Sequence, residues 1–519
     1  MSFSYNTVMP AWRTLCRMKP TSTSQSSQCP FHAPAEDASS ARQAHPPGVW
    51  PPGPRSGLTG WGLLRRMSRD PLGTFADLRQ RHGDIIHCRI WPEHQIVLAD
   101  PQLVRELLVS QHEPLIRWER GIQVFSQLHG KSVLTAEGEA WRSKRHALQP
   151  GFSPKNVQSF VPVIAAAADS AFAQWQADGS RWPIESAFTS LGMDVIMRMM
   201  FSSEIDEDAR AAEWAVHATA VAGNAEMYWP ASWPDWMPWK RTKRRAIAVL
   251  NRLVDRQIDA RLALARDAWP MDLLSRLLAL HDEDPSAWPL KAVHDECMTA
   301  FLAGHETAAA TLTWWAWCMA ANPEAQTAAR REVETILQGR APAASDLPSL
   351  VYLGQTLQET LRLYPAAPVL LSRRSVRPIT LGAWQFPART MFTVPVQLMH
   401  HDPRWFPDPL AYRPERFAPG APAIPRGAFM PFGTGPRVCL GQHLAMAEMT
   451  VIAAMFLQRF AVTAPAGMPA PRPEFNITLR PEVPLHLSLA STSAPASVDI
   501  RLAAAASSLS GRTPRSATR

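Results

Sequence analysis

Apolar and polar positions follow two different periods along this chain. Between residues 85 and 98, Ile-Ile-His-Cys-Arg-Ile and Gln-Ile-Val-Leu read as a pair of short strands. Asp100-Pro101 then opens a helix, with Asp as its cap and Pro at its first position. A helical period runs from about Tyr352 to Tyr364 and stops at Pro365, and another runs from Gln442 to Phe460. The longest, from about Lys291 to Ala321, is largely apolar and ends before Asn322-Pro323. At 1.5 Å per residue it spans on the order of 45 Å, enough to cross a whole domain. Ser372 to Pro395 returns to short strands broken by turns. The pattern predicts a mainly α protein with small β-sheets. No internal repeat or Gly-rich linker divides the middle, so one large domain is expected over 46–490.

Both ends lose this periodicity. Thr21 to Gln28 is a Ser/Thr/Gln tract, and His45 to Pro54 is a Pro/Gly-rich segment expected to be stiff and extended. From about Ser491 the chain is mostly Ala, Ser and Arg. Residues 1–45 and 491–519 are therefore expected to be disordered. Disorder of the whole chain is excluded by 20 Trp and 19 Phe. The net charge is +8, of which +2 lies in residues 1–45 and +3 in 491–519, so the basic balance is weak ground for a nucleic-acid partner. No stretch reaches the roughly 20 apolar residues that a membrane span needs. Neither a span nor a secretory signal is expected, and the cytoplasm is the default location.

Six cysteines stand at 16, 29, 88, 297, 318 and 439, none in a C-x-x-C pair. A disulfide scaffold does not fit so long and Cys-poor a chain. Cys29 and His32 have ligand-like spacing but lack a second pair for a structural zinc. Cys439 differs from the rest. It lies in Phe432-Gly-Thr-Gly-Pro-Arg-Val-Cys439-Leu-Gly441, just ahead of the helical run from Gln442. Helix N-termini favour a thiolate, and Gly435 and Gly441 would let backbone approach the sulfur closely. Such surroundings suit a metal-bound thiolate.

The pattern Phe432-x-x-Gly435-x-Arg437-x-Cys439-x-Gly441 resembles the haem-binding signature of the cytochrome P-450 superfamily. The resemblance implies that fold, with haem b held between the long helix and the cysteine loop, and Cys439 as iron ligand. Other segments match in the same order. Glu359-x-x-Arg362 is similar to the family's buried ion pair, which Arg416 would complete as a triad serving folding and haem retention. Trp141-x-x-x-Arg145 resembles the third-helix segment whose indole N–H and guanidinium reach the haem propionates, with Arg437 as a further contact. Ala303-Gly-His-Glu306-Thr307, inside the long helix, resembles the oxygen-activating segment. There Thr307 would hold oxygen and water while Glu306 links them to a proton supply. The plainer reading is that Thr307 bonds back to the carbonyl one turn earlier and Glu306 finds a salt bridge.

Substrate contacts carry over only loosely. Candidates are Ile122, Phe125, Leu128 and Leu134 near the third helix, then Phe301, Leu302 and Ala303 on the long helix. Ala367, Val369 and Leu370 follow the Glu359-x-x-Arg362 pair. All are apolar, implying a lipophilic substrate. Only 80 residues follow Cys439, too few for a fused flavin reductase, so electrons are expected from a separate ferredoxin, flavodoxin or flavoprotein reductase. Arg142 and Lys144 are candidates for docking it, and a monomer is expected. The resemblance implies a monooxygenase. The alternatives are a peroxygenase or a peroxide isomerase or dehydratase on the same scaffold, or a non-catalytic haem protein. A Trp- and cation-rich segment, Trp229 to Arg245, is either a packed loop before an exposed helix or a membrane-surface contact.

Overall fold

The computed structural model of the chain describes residues 45–492, apart from 47, 58, 205–206 and 229–235. The expected N-terminal extension (except His45), the tail beyond Thr492, Cys16, Cys29, His32, Trp229 and Trp233 lie outside the described residues. The described residues belong to one compact unit.

The extended lead-in is pinned at its start by a hydrogen bond from His45 N to Ala383 O, 2.8 Å, and by the Trp50 ring stacked on His87 and His94. The expected strand pair forms as β1 (Ile85–Ile90) and β2 (Glu93–Leu98), antiparallel. Asp100 caps the next helix, accepting from Leu103 N at 2.9 Å. That helix runs into a π-helical turn, Glu106–Ser110, which the periodicity does not disclose. A short strand β3 (Leu115–Arg117) follows, then α1 (Glu119–His129) and α2 (Gly138–Leu148). The middle is helical: α3 (Ile184–Phe201), α4 (Glu207–Met227), α5 (Arg241–Leu262) and the 32-residue α6 (Leu290–Ala321). Then come α7 (Val351–Leu363), strands β4 (Arg373–Ser375) and β5 (Met391–Thr393), and α8 (Gln442–Arg459). The hairpin β6 (Pro473–Phe475) and β7 (Leu479–Pro481) lies near the C-terminal end of the described residues. The strands β1-β2-β5-β4-β3 make one mixed sheet.

The core gathers around α6. Trp314 and Trp315 are fully buried on it. The Trp315 indole donates to Thr356 Oγ1 on α7 at 3.0 Å, and the Trp314 indole donates to Leu479 O on β7 at 2.9 Å. A large aromatic body with a satisfied N–H can thus sit wholly inside and tie α6 to two other elements. The crossing of α3 over α6 needs small residues. A Cβ on Gly192 would lie 3.0 Å from His305 O, and one on Gly304 would lie 2.8 Å from Ile196 Cδ1. Gly304, costly in mid-helix by about 1 kcal/mol, is thereby explained by packing.

Candidate active site

The cysteine loop is knitted by its own backbone. Gly433 N donates to Met430 O, Val438 N to Gly435 O and Cys439 N to Phe432 O, all at 2.9–3.0 Å. Gly435 has φ +78°, and a Cβ on it would stand 2.1 Å from Leu108 O in the π-helical turn. Gly441 brings its backbone N–H to the sulfur, as expected, whereas Gly435 answers to that neighbouring backbone instead. The Cys439 side chain lies deep in the protein yet opens onto a cavity. Burial pushes its thiol up, while the Gly441 N–H and the Arg145 guanidinium pull it down.

That cavity has a volume of about 530 Å³. Ala303 and Thr307 of α6 form part of its wall, Phe432, Leu440 and Cys439 another, and Val369 and Leu370 a third. Five guanidinium groups line it: Arg117, Arg145, Arg276, Arg373 and Arg437; of these, Arg276 is taken up by Asn156 Oδ1, to which it donates at 2.6 Å. Arg145 Nη1 donates to Val438 O, 2.8 Å away, beside the cysteine. Arg437 pairs with Glu137, donates to Ala136 O at 3.1 Å and lies over the Trp141 ring at 4.2 Å. Arg117 and Arg373 are direct cross-strand partners on β3 and β4, an arrangement that is destabilising for like charges. Burial, with Arg437 and Arg373 nearby, pushes Arg117 down to about 9. Arg373 is pushed down to about 10 by burial and Arg437. Arg117 Nε is buried and unpaired. Among these groups the nearby acid is Glu137, 3.5 Å from Arg117 Nη1. A crowded cationic wall beside an apolar slot with a thiol at its base calls for a flat apolar ligand carrying carboxylates. Haem b, with its two propionates, fits that donor set.

Sequence reasoning missed Arg117 and Arg373. Adjacent strand residues face opposite sides, so Arg373-Arg374 should have signalled that one arginine points inward. Arg374 pairs with Glu93 and Glu119, at 2.7 and 2.6 Å. Also missed were His129, which burial pushes down to about 4 so that it is neutral near pH 7, and Glu448. Glu448, on α8, lines the cavity with Oε1 unpartnered, and burial pushes its carboxyl up to about 8.

On α6, Thr307 Oγ1 donates to Ala303 O at 2.9 Å. Glu306 Oε1 accepts from Thr478 Oγ1 at 2.9 Å and lies 3.5 Å from Arg480 Nε. These are the contacts of the plainer reading, yet both residues line the cavity. Away from it, Arg362 holds Glu359 through two bonds of 2.7 and 2.8 Å, and Arg416 Nε reaches Glu359 Oε1 at 3.2 Å. Arg362 also donates to the carbonyls of His400, Pro409 and Ala411. The three charges are thus brought together where they fasten α7 to the segment 400–416.

Of the expected substrate contacts, Phe125, Leu128, Leu134, Leu302, Ala303, Ala367, Val369 and Leu370 line the cavity. Ile122 and Phe301 are not among the lining residues; Ile122 sits a turn ahead of Phe125, and Phe301 is turned fully into the core. Lys144, expected at a docking surface, is instead drawn inward. Its Nζ bonds Glu296 at 2.8 Å and rests over the Trp288 ring. Arg142 stays exposed.

Fold, cysteine loop and cationic cavity together define a haem-thiolate protein. The family model for cytochrome P450 matches residues 51–489, and the chain belongs to that family. It is 32% identical to cyclooctat-9-en-7-ol 5-monooxygenase of Streptomyces melanosporofaciens over 78% of this chain and 88% of that protein. It is 31% identical to cytochrome P450 734A4 of Oryza sativa subsp. japonica, over 72% of this chain and 75% of that one. It is 29% identical to the putative cytochrome P450 132 of Mycobacterium tuberculosis, over 79% and 90%. The chain is a haem-thiolate monooxygenase and its cofactor is haem b; the family implies a redox partner and a lipophilic substrate. Among the described residues no helix is long and apolar enough to cross a membrane.

Proposed function

We propose that Cys439 is the thiolate ligand of the haem iron and that the cavity oxidises an apolar, ring-containing substrate with dioxygen. The meeting of Cys439 with Arg117, Arg145, Arg373 and Arg437 in one cavity carries this reading. When bound, haem would supply the redox chemistry, with Cys439 as the thiolate that would donate electron density to its iron. Arg145, Arg437, Arg117 and Arg373 would hold the propionates, with the Trp141 ring beneath Arg437 steadying it. The apolar wall excludes water and orients the substrate through shape. Thr307 holds a proton at its Oγ1, and Glu306, at the cavity edge beside it, supplies protons. Glu359, Arg362 and Arg416 act by holding the fold.

For the substrate, the apolar lining and the similarity to cyclooctat-9-en-7-ol 5-monooxygenase favour a terpenoid-like alcohol or hydrocarbon over a charged molecule. For the electron donor, exposed Arg142, on the helix whose Arg145 touches the cysteine loop, favours an acidic ferredoxin or flavodoxin. The test is reconstitution with a surrogate ferredoxin, its reductase and NADH, over a panel of lipophilic compounds chosen by spectral shift. Substrate-dependent NADH consumption with oxygenated product is expected. Product with peroxide alone, and none with dioxygen and reductase, would contradict the reading. In the same assay Thr307→Ala is expected to raise the share of electron flow lost to peroxide at the expense of product, as loss of a proton-handling group would.

A further inference from the structure

The acid on α6 is not held by its own helix. Both of its observed partners come from the β6–β7 hairpin. Thr478 is the last residue of the turn and Arg480 lies on β7, with Leu479 between them. Leu479 is fully buried. Its carbonyl accepts the Trp314 indole at 2.9 Å, and its N–H donates to Ala366 O at 3.1 Å. The strand is therefore tied to α6 through the Leu479 carbonyl and to the segment after α7 through its N–H, and Thr478 and Arg480 on either side of Leu479 meet Glu306.

The two donors converge on the same oxygen. Thr478 Oγ1 is 2.9 Å from Glu306 Oε1, and Arg480 Nε is 3.5 Å from it. Arg480 is itself steadied from α3, where its Nη1 reaches Glu185 Oε1 at 3.2 Å and Thr189 Oγ1 at 3.3 Å. Glu185 Oε2 accepts Leu485 N at 3.2 Å. The tip of the hairpin is held as well: Asn224 of α4 donates to Asn476 Oδ1 at 3.2 Å. Among the described residues no hydrogen bond joins Glu306 to Thr307; the hydroxyl is occupied by Ala303 O.

We propose that Thr478 and Arg480 are positioning residues for Glu306, holding its carboxylate at the edge of the cavity in the orientation from which it feeds protons to the Thr307 side. The proposal rests on the reading of Glu306 as the proton-supplying acid. Ile477, the residue before Thr478, forms part of the cavity wall, so the wall and the acid share one support.

The test uses the holoenzyme without substrate. One measurement is infrared difference spectroscopy, with the Glu306 carboxylate bands assigned from Glu306→Gln. The other is the rate of NADH-driven oxygen reduction with a surrogate ferredoxin. Arg480→Met is expected to shift the Glu306 bands and slow oxygen reduction by about tenfold, the scale of one charge-assisted hydrogen bond. Arg480→Lys is expected to restore most of the rate. Thr478→Val should act in the same direction and Thr478→Ser should not, which keeps the test open if Arg480→Met fails to fold. Glu185→Gln, which leaves the Arg480–Glu306 contact in place, is expected to have the smaller effect. If Glu306→Gln slows oxygen reduction while Arg480→Met and Thr478→Val leave bands and rate unchanged, the positioning role is overturned and the role of Glu306 stands. If Glu306→Gln itself has no effect, the role of Glu306 falls and the positioning role with it.

Discussion

Glu448 shows how much a single side chain can depend on what surrounds it. It lies inside the protein with one oxygen unpartnered, and burial pushes its carboxyl up to about 8. The folded protein therefore binds a proton at this site more tightly than the unfolded chain, whose carboxyl titrates near 4.5. The sign follows: the contribution to stability is complete below the unfolded value and is lost as pH rises toward 8. Glu448→Gln removes the titration. Thermal melts of the parent are expected to fall between pH 5 and 8 relative to the variant; parallel curves would contradict the burial. Nothing in the sequence marked this residue, because a Glu on an otherwise apolar helix reads the same whether it faces water or a cavity. Cys439, by contrast, was legible: ten consecutive residues carry its whole pattern. Arg117 and Arg373 lie between these cases. Their meeting depends on a strand pairing across 256 positions, and no local period encodes that.

At the scale of elements, the long helix and its crossing partner set the site. The sequence disclosed α6 by its length and by the stop at Asn322-Pro323. The reason for Gly304 was not legible, since it lies in Ile196 of another helix. Gly192 and Gly304 let α3 and α6 approach, but the two glycines are not equivalent. At Gly192 the obstacle is a backbone carbonyl, 3.0 Å away, whereas at Gly304 it is the end of an isoleucine. Gly192→Ala is expected to cost about 1–3 kcal/mol, the usual range for overpacking, measured by chemical denaturation of the haem-loaded protein. Gly304→Ala is expected to cost less, because Ile196 can turn aside and Ala is the better helix former. Equal losses would contradict this account of the crossing. The strands of 372–395 were expected and formed. The π-helical turn at Glu106–Ser110 was not, because its extra residue is accommodated by the close approach to Gly435 rather than by any local signal.

Over the whole molecule, elements far apart in sequence are held around one cavity. Arg117 arrives on the early sheet, Arg145 on α2, Thr307 on α6, Arg373 on β4 and Cys439 ahead of α8. The Glu359–Arg362–Arg416 cluster fastens the segment leading toward the cysteine loop, and three carbonyls complete the bonding of its central guanidinium. Mainly helical architecture and the family resemblance were visible in the sequence. The charge balance of the cavity was not, because it is the sum of side chains that only the fold assembles. An anionic cofactor held beside the cysteine, as proposed, would answer that balance. The direct measurement is the absorption spectrum of the ferrous carbonyl form of the purified, haem-loaded protein beside Cys439→Ala. The parent is expected to show the thiolate-type Soret band and the variant to lose it while still binding haem; retention of that band in the variant would contradict Cys439 as the iron ligand.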